Sequence, residues 1–397
     1  MESVAQNVGP LRIAFAMRVD VFDKPGGDLV QMQKYIALGK QIAESGGGFH
    51  GDIVHELGAD LSDYDVIHLT NTERPVELCH FFHAARKAGK PMVVSTIHHS
   101  YREIAVYERL GRAGLMGRLG GWLGFQTIES VRSLVRSVKY RQLLRPTLRL
   151  LLRGMRSGQA GVLHGVDRVL VLADKERRDI QTDFGPIREE QFTLLRNGFE
   201  PDVRSARDAV QRDIAVCVIG RIEARKNQIA ILEALEALGV PGVFAGGENP
   251  NHAGYCARFR AAIAQSKSEF VEGLSHEQVL ALMRRSRVHV SASWFEVSSL
   301  VDMEAYFAGC CVVSSLRGGT REILKDSAVY VDPADAKGIR EAIAFALEQS
   351  GVGVAADEVD RGKDLSALSW GAIGLQLLGI YRAVLQRVQN VELPPGN

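Results

Sequence analysis

Two glutamates eight residues apart, Glu296 and Glu304, stand in the stretch of this chain richest in chemistry, Ser293 to Ser315 (SWFEVSSLVDMEAYFAGCCVVSS). The apolar run Val288–Ala292 before them reads as a buried strand. Met303–Ala308 reads as an apolar-faced helix stopped by Gly309, and Cys310–Ser314 as the next buried strand. Glu296 then lies on the loop at a strand's C-terminal end, and Glu304 about one and a half turns into the helix. In an open α/β sheet that edge is where ligands bind. The helix start at Ser298–Leu300 offers unpaired N–H groups to an anion. A ligand with hydroxyls at both ends and phosphates in the middle suits this layout, and a nucleotide-sugar is built that way. The plainer alternative makes Glu296 a surface loop residue and Glu304 a solvated helix position.

Other residues fall at similar edges. The buried run Ile214–Ile219 leads into Gly220-Arg221-Ile222-Glu223-Ala224-Arg225-Lys226, followed by a helix to Leu238. Cations where a strand meets a helix form a diphosphate clamp: arginine grips two phosphate oxygens and lysine adds a point charge. Arg221 and Lys226 are assigned to it, and Arg225 is expected to point elsewhere from the same loop. Gly26-Gly27-Asp28, between the strand Leu11–Met17 and the helix Leu29–Ser45, makes an anion-ready turn in which Asp28 can cap the helix. The turn is not G-x-G-x-x-G, which disfavours a dinucleotide. The strand Met92–Thr96 ends in Thr96-Ile97-His98-His99, placing two histidines on the ligand edge. Asp63-Tyr64-Asp65 precedes a strand, at its other end, and reads as a turn. His80 and His83 share a helix with Phe81 and Phe82 and have no third ligand, so packing is favoured over a metal site.

The elements that must hold these residues alternate, short apolar strand with amphipathic helix, which implies parallel, doubly wound sheets. The 397 residues suffice for two or three domains. A composition of 46% hydrophobic and 24% charged residues is that of a soluble globular protein. Five cysteines (79, 217, 256, 310, 311) lie mostly in apolar runs without a C-x-x-C pair, as reduced buried thiols of a cytoplasmic protein do. No signal peptide and no membrane-spanning run is expected. The net charge of +1 gives no global pull toward nucleic acid. Within it, however, 101–156 carries twelve basic against three acidic residues, a balance of +9, with leucines, valines and Trp122 interleaved. Two readings of that segment stand side by side. One is a helical excursion packed on its own domain with a solvated basic face. The other is a surface that meets anionic lipid head groups, placing the protein peripherally on the inner face of the membrane.

The central stretch resembles the E-x7-E motif of the family 4 retaining glycosyltransferases, down to Glu304, Ala305, Ala308, Gly309, Val312 and Val313. It departs at Val297-Ser298-Ser299, where the family usually has Gly-Phe-Gly. Gly220-Arg221 with Lys226 is similar to the family's G-R-x-x-x-x-K, Thr96-Ile97-His98 to its T-x-H, and Leu194–Glu200 to the motif closing its first domain. The likeness runs from Gly26 to Tyr381, is strong across 217–332 and is absent across 101–160.

The resemblance implies a GT-B fold of two Rossmann-like domains facing a cleft. It divides the chain into 1–205, with a basic insertion at 101–160, a donor domain at 206–368, and a helix at 369–397 crossing back to the first domain. It further implies metal- and cofactor-independent transfer of a sugar, with retention, from a nucleoside diphosphate sugar to a glycan or lipid-linked hydroxyl, as in polysaccharide or lipopolysaccharide synthesis. The catalytic residues would be Glu296, His98 (with His99 second), Arg221 and Lys226. The donor would lie on Gly26, Gly27, Arg221, Lys226, Glu296, Val297, Ser298, Ser299, Leu300 and Glu304, with Glu296 at the sugar hydroxyls and Glu304 at the ribose. Two other classes remain, an epimerase or hydrolase on the same fold and a non-catalytic sugar-binding scaffold. Turnover without an acceptor would mark the first, and binding without product the second.

Overall fold

The protein was analysed as a computed structural model that describes residues 9–111, 127, 129–199, 211–351 and 365–392. Pro201 of the expected interdomain linker, and Arg112, Arg118 and Trp122 of the basic segment, lie outside the described residues. The chain forms two compact units: 1–98 with 124–198 and 367–397, and 99–123 with 199–366.

The first unit is built on a six-stranded parallel sheet: β1 (Leu11–Ala16), β2 (Phe49–Val54), β3 (Val66–Thr70), β4 (Met92–Ser95), β5 (Arg168–Val171) and β6 (Phe192–Leu194), in the order β2-β1-β3-β4-β5-β6. Its inner strands are near-continuous apolar runs because helices cover both faces. Ile13, Phe15, Ile67, Leu69, Val93, Val94 and Val169 are fully buried. Helices α1 (Gly27–Glu44) and α2 (Pro75–Lys87) follow β1 and β3. Helix α3 (Tyr101–Leu110) leaves β4 for the second unit. The first unit then resumes with α4 over 129–139, α5 (Leu144–Arg153), α6 (Met155–Gly165) and α7 (Asp174–Phe184).

The second sheet comprises β7 (Ile214–Ile219), β8 (Gly242–Ala245), β9 (Glu269–Val271), β10 (Ser286–Val290), β11 (Cys311–Ser315) and β12 (Ala328–Val331), all parallel, in the order β12-β11-β10-β7-β8-β9. Helices α8 (Gln228–Leu238), α9 (Ala253–Ile263), α10 (His276–Arg285), α11 (Leu300–Phe307), α12 (Thr320–Leu324) and α13 (Ala336–Gly351) connect and cover it. Val216, Val218, Phe244, Val288, Val290 and Val313 form its core. The last helix, α14 (Trp370–Glu392), packs on α1 within the first unit. There Tyr381 Oη lies 2.7 Å from Nδ1 of His68, whose Nε2 meets Ser95 Oγ at 2.8 Å. Burial pushes the His68 pKa down to about 3, so this histidine is a neutral core residue.

One expectation is corrected here. The stretch 101–160 does not enter the first domain as a single insertion. Its opening helix α3 belongs to the second unit, because Tyr107 buries its ring between Trp294 and Phe295 (centroids 6.2 and 5.5 Å). Residues 129–160 pack in the first unit, where Arg136 Nη2 donates to buried Glu77 of α2 at 3.0 Å.

Candidate active site

Read from β9, the second sheet runs 3-2-1-4-5-6 in order of succession, so the chain reverses direction between β7 and β10. Ligands of open α/β sheets lie outside the strand ends at such a switch point. The loops leaving β7 and β10 there carry the cations and Glu296. They are fixed tightly. A Cβ on Gly246, which follows β8 with φ of +151°, would fall 2.2 Å from the carbonyl oxygen of Gly220, so only glycine permits this approach of backbones. Trp294 N donates to Arg225 O at 2.9 Å and joins the two loops directly.

Glu296 is 17% exposed, and its Oε2 accepts from Lys226 Nζ at 2.5 Å and from Arg225 Nη1 at 3.2 Å. Burial on its own would raise the Glu296 pKa. Lys226 and Arg225 outweigh it and hold the carboxyl well below the ordinary range, so it is ionised at any working pH. Arg225 also donates to Phe295 O at 3.1 Å and, through Nη2 and Nε, to Glu223 Oε1 at 2.8 and 3.2 Å. Glu223 is buried and takes a further bond from Asn249 Nδ2 at 2.6 Å. Its pKa is lowered as Arg225 and Arg221 overcome the burial that would raise it. Arg225 is therefore not turned elsewhere, as its place in the loop suggested. It braces two acidic residues against two strands. Arg221, 3.9 Å from Glu223, is 48% exposed and the most accessible of the three cations. The ring of His99 lies 5.0 Å from that of Phe295, close enough to add to the field that keeps Glu296 ionised.

Helix α11 begins at this loop. Ser299 is its N-cap, accepting Asp302 N–H at 3.2 Å through Oγ. Ser299 and Val297 are buried, while Ser298 and Leu300 are half-buried. Ser299 thus has a structural task of its own, where the glycine of the resembling motif would leave the backbone open. Glu304 is 20% exposed, 3.6 Å from His276 Nε2.

Beneath lies a buried network that reading the sequence missed. Asp302 Oδ1 faces His289 Nε2 at 3.3 Å, and its Oδ2 accepts from Ser314 Oγ (2.5 Å) and Thr320 Oγ1 (3.1 Å). Burial would lower the His289 pKa, but Asp302 and the Cys217 sulphur raise it to about 9. One carboxylate so fastens α11 to β10, β11 and the first residue of α12. The N-cap of α12, Gly319, donates its N–H to Val297 O at 2.8 Å. The signals were present: an aspartate on the buried side of the helix and a histidine within the strand R-V-H-V.

In the first unit the expected residues have different surroundings. Gly26 caps α1 and Gly27 opens it. Asp28 is not the cap but a first-turn residue, because its carboxylate is drawn to Arg18 Nε at 2.9 Å and to Leu29 N–H at 2.9 Å. Arg18, itself buried, also binds Asp20 at 2.9 Å.

His98 is corrected more sharply. Its ring is buried within the first unit, with Nε2 2.8 Å from Asp183 Oδ2 and Nδ1 3.2 Å from Thr72 Oγ1, so both nitrogens already have partners and neither is presented to a ligand. The turn responsible is strained. Ile97 has φ of +44°, a left-handed conformation rare for a β-branched residue. Buried Glu176 spans it, accepting from Thr96 Oγ1 at 2.5 Å and His98 N–H at 2.7 Å.

Residues 200–360 match the family model of glycosyl transferases group 1, the portion of the chain that carries Arg221, Lys226, Glu296 and Glu304. A glycogen synthase of Mycobacterium tuberculosis is 26% identical over 225 residues, which cover 55% of this chain and 54% of that protein. The chain thus spans about half the length of the curated relatives it matches. A sucrose-phosphate synthase from Thermosynechococcus elongatus superposes with a TM-score of 0.68 at 16% identity, covering 95% of this chain and all of that one. A glycosyltransferase from Rickettsia africae gives 0.66 at 12% identity, with coverages of 96% and 100%. Anabaena HepE in complex with UDP and glucose gives 0.55 at 15% identity, with coverages of 96% and 99%. Two parallel six-stranded sheets wrapped by helices, with a C-terminal helix packed in the first unit, define the GT-B fold. The second unit is the part that resembles group 1 glycosyl transferases in sequence as well.

Proposed function

We propose that this protein is a retaining glycosyltransferase that moves a sugar from a nucleoside diphosphate sugar to a hydroxyl of a glycan or lipid-linked acceptor. The observation that carries the reading is the ionised Glu296 held between Lys226 and Arg225 at the switch point of the second sheet, with half-exposed Arg221 on the same loop as both cations, beside Glu223. In this reading the diphosphate lies on Arg221, Lys226 and the N–H groups of Leu300 and Val301, the Asp302 N–H being taken by Ser299. The Glu296 carboxylate accepts O–H bonds from the sugar, and Glu304 does so from the ribose. As the glycosidic bond breaks, negative charge grows on the departing diphosphate. Fixed cations aimed at that charge lower the barrier by about 3–4 kcal/mol each. The acceptor hydroxyl attacks from the face the diphosphate leaves and passes its proton to a leaving phosphate oxygen, which retains the α configuration. His98 acts as the buried anchor of the 96–99 turn, and His99 is the histidine beside Glu296.

Two fixed cations can supply the electrostatic work that a divalent ion supplies elsewhere, so the transfer is proposed to need neither metal nor cofactor. The glycan or lipid-linked acceptor is assigned to cell-surface polysaccharide or lipopolysaccharide synthesis at the cytoplasmic face of a membrane. The test is to incubate the protein with UDP- and GDP-sugars, with and without oligosaccharide or lipid-linked acceptors, in excess EDTA. Nucleoside diphosphate release that depends on acceptor, with an α-linked product by NMR, is expected. Release without acceptor would make it an epimerase or hydrolase, and turnover restored only by Mg²⁺ or Mn²⁺ would remove the metal-free mechanism.

A further inference from the structure

Seven of the thirteen large apolar side chains left exposed among the described residues lie between 131 and 152. They fall at helical spacing: Val131, Leu134, Val135 and Val138 on α4, then Leu144, Leu148 and Leu152 on α5. Helix α4 is turned against the usual rule: the side chains packed inward are Ser133 and Ser137, fully buried, while Val138 is 73% exposed. On α5 Thr147 and Leu150 pack inward, yet Leu152 is 91% exposed. The orientation is fixed from the inside, since Arg136 is held by Glu77 and α5 packs on α2. A soluble protein rarely leaves such rows uncovered without a partner for them.

Charge selects the partner. Beside each outward leucine of α5 stands an exposed arginine, in the pairs Leu144-Arg145, Leu148-Arg149 and Leu152-Arg153. On α4 exposed Arg132 and Lys139 flank the valines. From Ser130 to Gly165 the chain holds no carboxylate. A second copy pairing through this face would set arginines against arginines, so self-association is disfavoured. Nucleic acid would want aromatic stacking platforms, and the rows are aliphatic. An anionic bilayer offers both halves at once, phosphate head groups for the arginines and an acyl layer for the leucines and valines.

We propose that the outward faces of α4 and α5 dock on an anionic lipid bilayer, with Val131, Leu134, Val135, Val138, Leu148 and Leu152 entering the acyl boundary. This deepens the reading of a lipid-linked acceptor and rests on it for its purpose. The test below reads docking without turnover, so its failure would leave glycosyl transfer standing. The full chain is sedimented with vesicles of phosphatidylcholine alone and of phosphatidylcholine mixed with phosphatidylglycerol, at low and high salt. Binding to the mixed vesicles only, weakened by salt, is expected. Changing Arg145, Arg149 and Arg153 together to Gln should weaken it about a hundredfold. Leu148→Ser with Leu152→Ser should weaken it about tenfold or more while leaving the thermal midpoint in place. The double exchange Arg258→Gln with Arg340→Gln, on the second unit, should change nothing. Equal binding to neutral vesicles, no binding to either, full binding by the leucine variant, or a concentration-dependent dimer closed through these rows would each overturn the proposal.

Discussion

At the switch point of the first sheet, between β1 and β3, Arg18 is buried against Asp20 and Asp28, and the helix that follows starts with its carboxylate already paired. At the switch point of the second, between β7 and β10, the cations are graded. Arg225 is spent on Glu223 and Glu296, Lys226 leans on Glu296, and Arg221 stands half in solvent. The same chemistry is thus closed in one unit and left open in the other. Burial makes the difference. A charge with no water and complete partners contributes to the fold, whereas one with an accessible face can exchange its partner for a ligand.

The comparison breaks most visibly at Arg18. Its replacement by Ala strands two buried carboxylates and is expected to cost about 3–5 kcal/mol of stability, read as an early unfolding transition in urea. A variant as stable as the wild type would mean that the first switch point is as open as the second. A pH titration comes next. The His289 pKa is raised to about 9 by Asp302 and the Cys217 sulphur against the lowering effect of burial. The stabilisation this brings is fully present below the unfolded value of about 6.5 and is lost as pH rises through about 9, on the order of 3 kcal/mol. The thermal midpoint should fall across that window, and Asp302→Asn should flatten the fall. A slope unchanged by Asp302→Asn would remove the network from the account. The smallest effect is expected at Arg225→Ala, which leaves Glu223 with Asn249 and Arg221 and costs about 1–3 kcal/mol of stability. Loss of kcat with full stability would instead put Arg225 at the ligand.

The β-α alternation, the ends of most strands and the return of the last helix were legible because parallel strands buried on both faces leave unbroken apolar runs such as L-R-I-A-F-A and I-A-V-C-V-I. The loops at the sheet's C-terminal edge were legible for the same reason, since a strand's last residue tells which loop leaves its C-terminal end. Partners were not. Arg225 and Lys226 are neighbours of one type, and only the fold shows that Arg225 turns back to Glu223. His98 and His99 are adjacent too. The reversal at Ile97, which buries the first ring and leaves the second beside Phe295, depends on Glu176, about eighty residues on. Exposure of the valines and leucines of α4 and α5 was hidden because their spacing equals that of an ordinary core-facing stripe.

The central claim is that the second switch point is a seat for a nucleoside diphosphate sugar, and calorimetric titration of the purified chain with UDP- and GDP-sugars tests it most directly. The account expects one of them to bind, and expects Arg221→Ala and Lys226→Ala each to weaken it by about 30- to 150-fold, the loss of a charge-assisted bond worth about 2–3 kcal/mol, with the unfolding midpoint of Arg221→Ala unmoved. Binding by either variant as tight as by the wild type, or no heat with any nucleoside diphosphate sugar, would contradict it.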